Sequence, residues 1–288
     1  MDIAVLSDIH GNYVSLQSCI DYALKRDINT FFFLGDYLGE LPYPEKTMDI
    51  IFKMKSQYNC FFIKGNKEDY WLNYKKGDKS IWKENNSTTG SLLYTYSHLR
   101  EKDIEFFSSL EIVQLVKLNE FPQITICHGS PNKTTEKMSP DTENTFEIMK
   151  KDTSDYILCG HTHIQRKIKY ENKILLNGGS IGVPLHSDGK AQFLILHGIE
   201  DSWIEEFVSI DYDREKIIRD LHESKLDIKA PYWCKITEHL LLTGEVSHRS
   251  VLIRAMNLCK KDTGNCIWPN IPERYWEQAV NEMINYNY

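Results

Sequence analysis

The chain has 288 residues, 41% of them hydrophobic and 26% charged, with a net charge of -7 and seven cysteines. That length suits one large domain, or one domain with an appendage, and the acidic balance excludes a general nucleic-acid binder, which carries a basic excess. No apolar run reaches the ~18 residues of a membrane span, and no cysteine pair has zinc-finger spacing.

The first predicted strand starts at residue 1 and leaves no room for a signal peptide. The expected setting is therefore a reducing cytoplasm, with most cysteines acting as small buried hydrophobes. Ile3, Ala4, Val5 and Leu6 form an unbroken apolar block, suited to a strand covered on both faces. Asp8 and His10 follow, two positions apart, so both point the same way where the strand gives out. Gly11 permits a turn. Asn12 stands where an amide caps a helix or reaches a substrate. An amphipathic helix with Val14, Leu16, Ile20, Ala23 and Leu24 comes next. A second strand over 30–34 runs into Gly35-Asp36-Tyr37-Leu38-Gly39, and Pro42 and Pro44 mark a turn before a helix over 45–55. A third strand over 60–63 ends in Lys64-Gly65-Asn66-Lys67. Three βα units in series predict a layered α/β core with ligands gathered at the carboxyl ends of the strands.

Residues 70–110 read as helical, with Trp71, Leu72, Trp82, Leu92 and Tyr96 among the core-facing positions. Strands over 112–118 and 123–127 follow, and the second ends in His128-Gly129-Ser130. A helix over 142–150 leads to a strand at 156–159 that ends in Gly160-His161-Thr162-His163. Hairpin strands are expected at 168–170 and 173–176, then a loop Asn177-Gly178-Gly179-Ser180, then strands at 191–197 and 203–210. Beyond residue 212 the pattern turns helical, with a break at Gly244, a turn at 268–272 and a last helix over 273–284. The expected division is a domain of residues 1–212 and a helical C-terminal extension of residues 213–288 packed on it.

Seven donors fall just after apolar runs: Asp8, His10, Asp36, Asn66, His128, His161 and His163. Mixed carboxylate, amide and imidazole donors suit borderline divalent ions. Seven are too many for one closed ion and fit two ions sharing a carboxylate, a pair ~3.5–4 Å apart that clamps a phosphoryl group. Singly, an Asp or Asn beside glycine is ordinary turn chemistry; the ordered set carries the reading. Ser130 lacks the Gly-x-Ser-x-Gly surroundings of a nucleophile and is assigned to loop geometry. His98, His186, His197 and His222 are left out as ligands. His248-Arg249 is read as a solvated helix face, and Lys67 as facing either the site or solvent.

The order Asp8-x-His10, Gly35-Asp36, Gly65-Asn66, His128-Gly129, Gly160-His161-x-His163 resembles the calcineurin-like metallophosphoesterases over roughly residues 1–210. Gly35-Asp36-Tyr37-Leu38-Gly39 followed by Pro44-Glu45 resembles the bacterial branch with small phosphodiesterases and diadenosine-tetraphosphatase-like proteins. The resemblance implies a four-layer αββα sandwich with the site on one edge. It implies that Asp8, His10 and His163 bind a first divalent metal, that Asn66, His128 and His161 bind a second, and that Asp36 bridges them. The ions would be manganese, iron, zinc or nickel, with manganese favoured. The implied activity is hydrolysis of a phosphodiester or phosphoanhydride of a small nucleotide by a metal-bridging hydroxide. Asp36, Asn66, Lys67 and His128 would be catalytic, and Asn12 and Lys67 would contact the substrate. The expected partner is thus a small phosphorylated molecule, not a membrane or a nucleic acid.

Two positions depart from the family pattern. Lys67 stands where many members carry a histidine; an ammonium neutralises phosphoryl charge but is a poor general acid near its ordinary pKa of ~10.4. Gly178 alters the usual Asn-Pro-Gly-Ser loop and is expected to leave it freer. Two other functions are weighed. A phosphomonoesterase or protein phosphatase would call for a site arginine, with Arg166 the candidate nearest the metal loop. A regulatory or assembly protein with a weakly active metal site is the reading that Lys67 favours.

Overall fold

A computed structural model describes residues 1–77 and 79–284; the last four residues of the expected extension lie outside the described residues. The N-terminal apolar run forms β1 (Asp2–Leu6). Ile3 and Val5 point to one face, Ala4 and Leu6 to the other, and both faces are covered, which is why the run has no polar interruption. The chain continues as α1 (Tyr13–Leu24), β2 (Thr30–Phe33), α2 (Pro44–Gln57), β3 (Asn59–Phe62) and α3 (Asn66–Lys76). β1, β2 and β3 pair in parallel, as helical crossovers require.

The helical stretch predicted over 70–110 divides into the end of α3, then α4 (Gly90–Ser97) and α5 (Glu101–Ser109). Next come β4 (Val113–Val116), β5 (Ile124–Cys127), α6 (Glu143–Lys151), β6 (Tyr156–Cys159), β7 (Gln165–Tyr170), β8 (Lys173–Gly178), β9 (Ala191–Ile199) and β10 (Ser202–Ile210). They complete two mixed sheets, ordered β10-β9-β1-β2-β3 and β4-β5-β6-β8-β7. Ile3, Val5, Phe32 and Leu34 of the first sheet meet Ile124, Ile126, Leu158 and Leu176 of the second. Leu16, Met48, Trp71 and Phe107 cover the outer face of the first sheet, and Ile148 and Met149 of α6 cover the second. The result is the four-layer αββα sandwich, with the carboxyl ends of β1, β2, β3, β5 and β6 along one edge.

One expectation is corrected at β8. Asn177 and Gly178 are the end of that strand, not loop. Asn177 is fully buried, and its Nδ2 donates to Gly160 O at 2.6 Å and to Thr162 Oγ1 at 3.1 Å. The segment is held by its amide side chain and by pairing with β6 and β7, so the missing proline does not free it.

The C-terminal helices are α7 (Arg214–Glu223), α8 (Leu226–Lys229), α9 (Pro231–Thr243), α10 (His248–Thr263) and α11 (Glu273–Met283). α9 stops where Gly244 adopts φ 73°, the left-handed cap that glycine takes without a Cβ penalty. Ile217, Leu221, Leu226 and Leu240 share a cluster with Leu41, Tyr94 and Val183 of the sandwich. Trp276 is buried and its Nε1 donates to Thr88 Oγ1 at 3.0 Å. Glu273 accepts from Ser87 N at 2.8 Å and Ser87 Oγ at 2.6 Å. The extension is therefore bonded to the segment before α4 and joined to the sandwich core.

Candidate active site

Six donors follow buried strands, and Asn66 opens α3 beyond the partly exposed β3. Asp8, His10, Asp36, His161 and His163 all have positive φ, between 52° and 64°. Side chains with a Cβ rarely adopt that region, and such strain persists where surrounding bonds over-determine it, most often at functional sites. Those bonds are visible. His10 N donates to Asp36 O at 2.9 Å, Gly182 N to Asp8 O at 2.9 Å, and Leu185 N to His163 O at 3.0 Å.

Asp8 is wholly buried. Its Oδ2 accepts from Ser7 Oγ at 2.5 Å and His161 N at 3.0 Å. Its Oδ1 lies 3.1 Å from His163 Nε2, 3.8 Å from His10 Nε2 and 4.0 Å from His128 Nε2. Asp36 Oδ1 accepts from Lys67 N at 2.8 Å, in the first turn of α3, where exposed N–H groups favour an anion. Oδ1 is also 3.5 Å from His128 Nε2, while Oδ2 is 3.8 Å from His10 Nε2. Asp36 thus lies between the two imidazoles. Asn66 Oδ1 sits 3.2 Å from His128 Nε2. Two triads have ligand atoms within 4.8 Å of one another: Asp8, His10, His163 and Asp8, Asp36, His128. His161 falls outside both; its ring is 5.2 Å from that of His128.

The imidazoles are oriented from behind. His128 Nδ1 is 2.7 Å from Leu34 O and His163 Nδ1 is 3.0 Å from Val183 O. A carbonyl only accepts, so Nδ1 carries the proton and Nε2 faces inward, as in histidines that hold metals. His10 Nδ1 forms an ion pair with Glu40 Oε2. Burial pushes the Asp8 carboxyl up, but His163 and His128 outweigh it and hold the group well below the carboxylate range. Burial opposes charge on His10, yet Glu40, Asp8 and Asp36 raise it to about 10. Burial likewise opposes charge on His128, and Asp36 and Asp8 raise it to about 9. Burial, then His128, lowers His161 to about 4. The buried carboxylates draw positive charge to the centre of the cradle, which protonated imidazoles supply and a divalent cation would supply in their place.

Two carboxylates escaped the sequence reading. Glu40 is 3% exposed and joins His10 to Lys67, whose Nζ lies 2.6 Å from Glu40 Oε1. Its one signal in the sequence is a lone carboxylate among Tyr37, Leu38 and Leu41. Glu68 accepts from Asp36 N, Tyr37 N and Gly65 N at 3.0, 2.9 and 2.7 Å and so clamps the β2 turn to the start of α3. Its position three residues beyond the Gly65 N-cap is the capping-box spacing.

Lys67 faces the site, pinned by Glu40. Asn12 is corrected: its Oδ1 caps α1 through Ser15 N at 3.1 Å, and its Nδ2 donates to Gly182 O at 3.1 Å and Tyr212 OH at 3.3 Å. Both ends of the amide are committed to the fold, and Asn12 is not among the residues lining the cavity. For His248-Arg249 the expectation is corrected at His248 alone; Arg249 is exposed. His248 is buried, its Nε2 is 2.8 Å from Thr237 Oγ1 and its ring lies 4.6 Å from that of Trp233. Ser130 shapes its loop, accepting from Asn132 N at 3.1 Å and bonding Glu136. His98, His186, His197 and His222 bond Tyr94, Glu245, Glu206 and Asp227, away from the cradle.

Above the donors lies a cavity of about 260 Å³. The strand-end loops supply His10, Asp36, Asn66, Lys67 and His161 to its wall. The helical extension supplies Trp233, Leu240, Ser247, His248, Arg249 and Leu252. The extension roofs the site. Beside Asp8, Gly160 has no room for a Cβ, which would meet Ser7 Oγ and Asp8 Oδ2. Gly160→Ala is expected to displace the Asp8 carboxylate and lower activity about a hundredfold, the scale of a misplaced reacting group. The far-ultraviolet circular dichroism should stay native. Full activity in the variant would show that the carboxylate tolerates the shift.

A double-sheet α/β sandwich with a carboxylate and imidazole cradle on one edge is the architecture of metallophosphoesterases. Residues 1–201 match the calcineurin-like phosphoesterase superfamily domain, and the chain belongs to that family of metal-dependent hydrolases. The chain is 26% identical over 249 residues to an uncharacterised protein of Methanocaldococcus jannaschii, across 80% of this chain and 94% of the relative. Its fold is similar to a crystal structure of a hypothetical protein from Pyrococcus horikoshii, with TM-score 0.72, 22% identity and coverage of 85% and 99%. It is also similar to a metallophosphoesterase from Sphaerobacter thermophilus, with TM-score 0.68, 16% identity and coverage of 85% and 100%. Both spans exceed the sandwich alone, so the likeness of fold reaches into the helical extension.

Proposed function

We propose that this chain hydrolyses a phosphodiester or phosphoanhydride of a small nucleotide at a two-metal centre, with manganese the favoured ion. The observation that best supports the reading is the pair of triads sharing Asp8, with inward-facing Nε2 atoms and Asp36 between them. Asp8, His10 and His163 would hold one ion, Asn66, His128 and His161 the other, and Asp36 would reach both. Bound there, such a pair supplies Lewis acidity toward a phosphoryl oxygen and a low-pKa water.

The chain's own residues then set the substrate. Lys67 is buried beside Glu40 and Asp36, which outweigh the effect of burial and raise its pKa. It keeps its proton and is no general acid, so substrates with good leaving groups, aryl esters or anhydrides, are favoured. Trp233, Tyr70, Leu240 and Leu252 give the cavity an apolar wall that suits a planar base. All seven cysteines are free, which supports a reducing compartment, and none of the described helices is long and apolar enough to cross a membrane. A second reading, phosphomonoester hydrolysis, is favoured by Arg249 in the cavity wall.

The test is turnover by metal-stripped protein with manganese restored. Bis(p-nitrophenyl) phosphate, a cyclic nucleotide, diadenosine tetraphosphate and p-nitrophenyl phosphate would be compared. Turnover of a diester or anhydride, lost on chelation, is expected. A metal-loaded protein inert on the first three sinks the proposal, and selective hydrolysis of the monoester selects the second reading.

A further inference from the structure

The cavity mouth carries cations that the cradle chemistry does not use. Lys137, from the loop before α6, and Arg249, in the first turn of α10, line the same cavity as His161 and Thr162. Burial lowers the Lys137 pKa, and the like charges of Arg249 and Arg166, the latter in β7, lower it further. Among the described residues none of the three side chains has an ion-pair or hydrogen-bond partner. The chain nevertheless has 41 Asp and Glu against 34 Lys and Arg. The other arginines do find carboxylates: Arg26 pairs with Glu206, Arg100 with Asp49 and Asp103, Arg214 with Asp211, Arg219 with Glu215, Arg254 with Glu282 and Arg274 with Asp262. The nearest carboxylate in sequence, Glu136, is occupied by Ser130 and by Asn144 at 2.9 Å.

Two like charges from two separate elements, the loop before α6 and α10, line one cavity and repel one another unless an anion sits between them. At the mouth of a cavity they focus potential on an incoming anion, and arginine in particular matches phosphate oxygens two at a time. We propose that Lys137 and Arg249 form a subsite for a second phosphate group of the substrate, beside the cradle that takes the scissile one. This rests on the phosphoesterase reading for the scissile group and narrows the substrate class. The preferred molecule carries at least two phosphates, as a nucleoside or dinucleoside polyphosphate does, and is neither a simple diester nor a monoester. The helical extension then supplies specificity through α10.

The test uses the full chain, its Lys137→Gln/Arg249→Gln variant, and Lys260→Gln/Lys261→Gln as a control. The control makes the same change of net charge at the far end of α10. Calorimetric titration with inorganic tripolyphosphate is expected to show affinity about tenfold or more weaker in the rim variant, from two lost charge-assisted contacts, and near wild type in the control. The ratio of kcat/KM for diadenosine tetraphosphate to that for bis(p-nitrophenyl) phosphate should fall about tenfold in the rim variant alone. Equal loss in both double variants, or tripolyphosphate affinity that does not depend on the rim, overturns the proposal. Rim-dependent affinity in a chain inert on every phosphoester would sink the phosphoesterase reading and leave the subsite standing. Turnover with rim-independent affinity would sink the subsite alone.

Discussion

Asp8→Asn is expected to lower kcat by about a thousandfold or more, beyond the effect of a single transition-state donor. Asp8 is the one residue common to both triads. Its Oδ1 faces three imidazoles, while Oδ2 is already held by Ser7 and by the His161 backbone. An amide keeps the shape but removes the charge that draws cations to the cradle. With the amide turned the other way, an N–H₂ group replaces Oδ1 and faces His163 Nε2 at the 3.1 Å contact. Metal content after gel filtration, read by mass spectrometry, should fall with the activity. A variant that keeps two equivalents of metal and near-native turnover would remove Asp8 from the ligand set.

Glu40→Gln is expected to act on stability and on metal affinity together. Glu40 is buried and makes two ion pairs, one with His10 Nδ1 and one with Lys67 Nζ. Lys67 is 12% exposed. Without Glu40 its ammonium is a buried charge lacking its nearest partner, and removing one member of such a pair costs about 3 kcal/mol or more. His10 also loses the carboxylate that orients its ring, a change worth about 10–100-fold in metal affinity. Urea unfolding and metal titration measure the two effects separately. Adding Lys67→Met to Glu40→Gln should recover most of the stability, since no buried charge is then left alone, but not the metal affinity. Recovery of both would mean that Glu40 does not position His10. No change in either from the single variant would mean that the three residues do not act as a unit.

Lys67 is read differently once the structure is in view. At the family's histidine position it looks like a free cation for phosphoryl oxygens. In the fold its charge is answered by Glu40, and its backbone N–H, not its side chain, holds Asp36.

What the sequence determined by itself is local. β1, β2, β5 and β6 are buried on both faces, so their apolar runs are unbroken and easy to find. In βα units the residue after each run lands on the carboxyl edge, whatever the rest of the chain does. The donors from Asp8 to His163 were legible for that reason, as was Gly244 at a helix end.

Tertiary structure decided the choices that sequence spacing leaves open. Asn12 was free to cap or to bind; Gly182 and Tyr212, 170 and 200 residues further on, take up its amide. Glu40 gains its meaning from His10 and Lys67 on either side in sequence. Amphipathic periodicity shows that a helix buries a face, but not what its polar residues will meet. His248 and Arg249 therefore looked solvated, and only the packing of α9 and α10 over the strand ends placed them in the cavity wall. The physical reason is the same throughout. Strand burial and turn chemistry act over a few residues, whereas the pairing of buried charges and the roofing of a cavity depend on which distant surfaces meet.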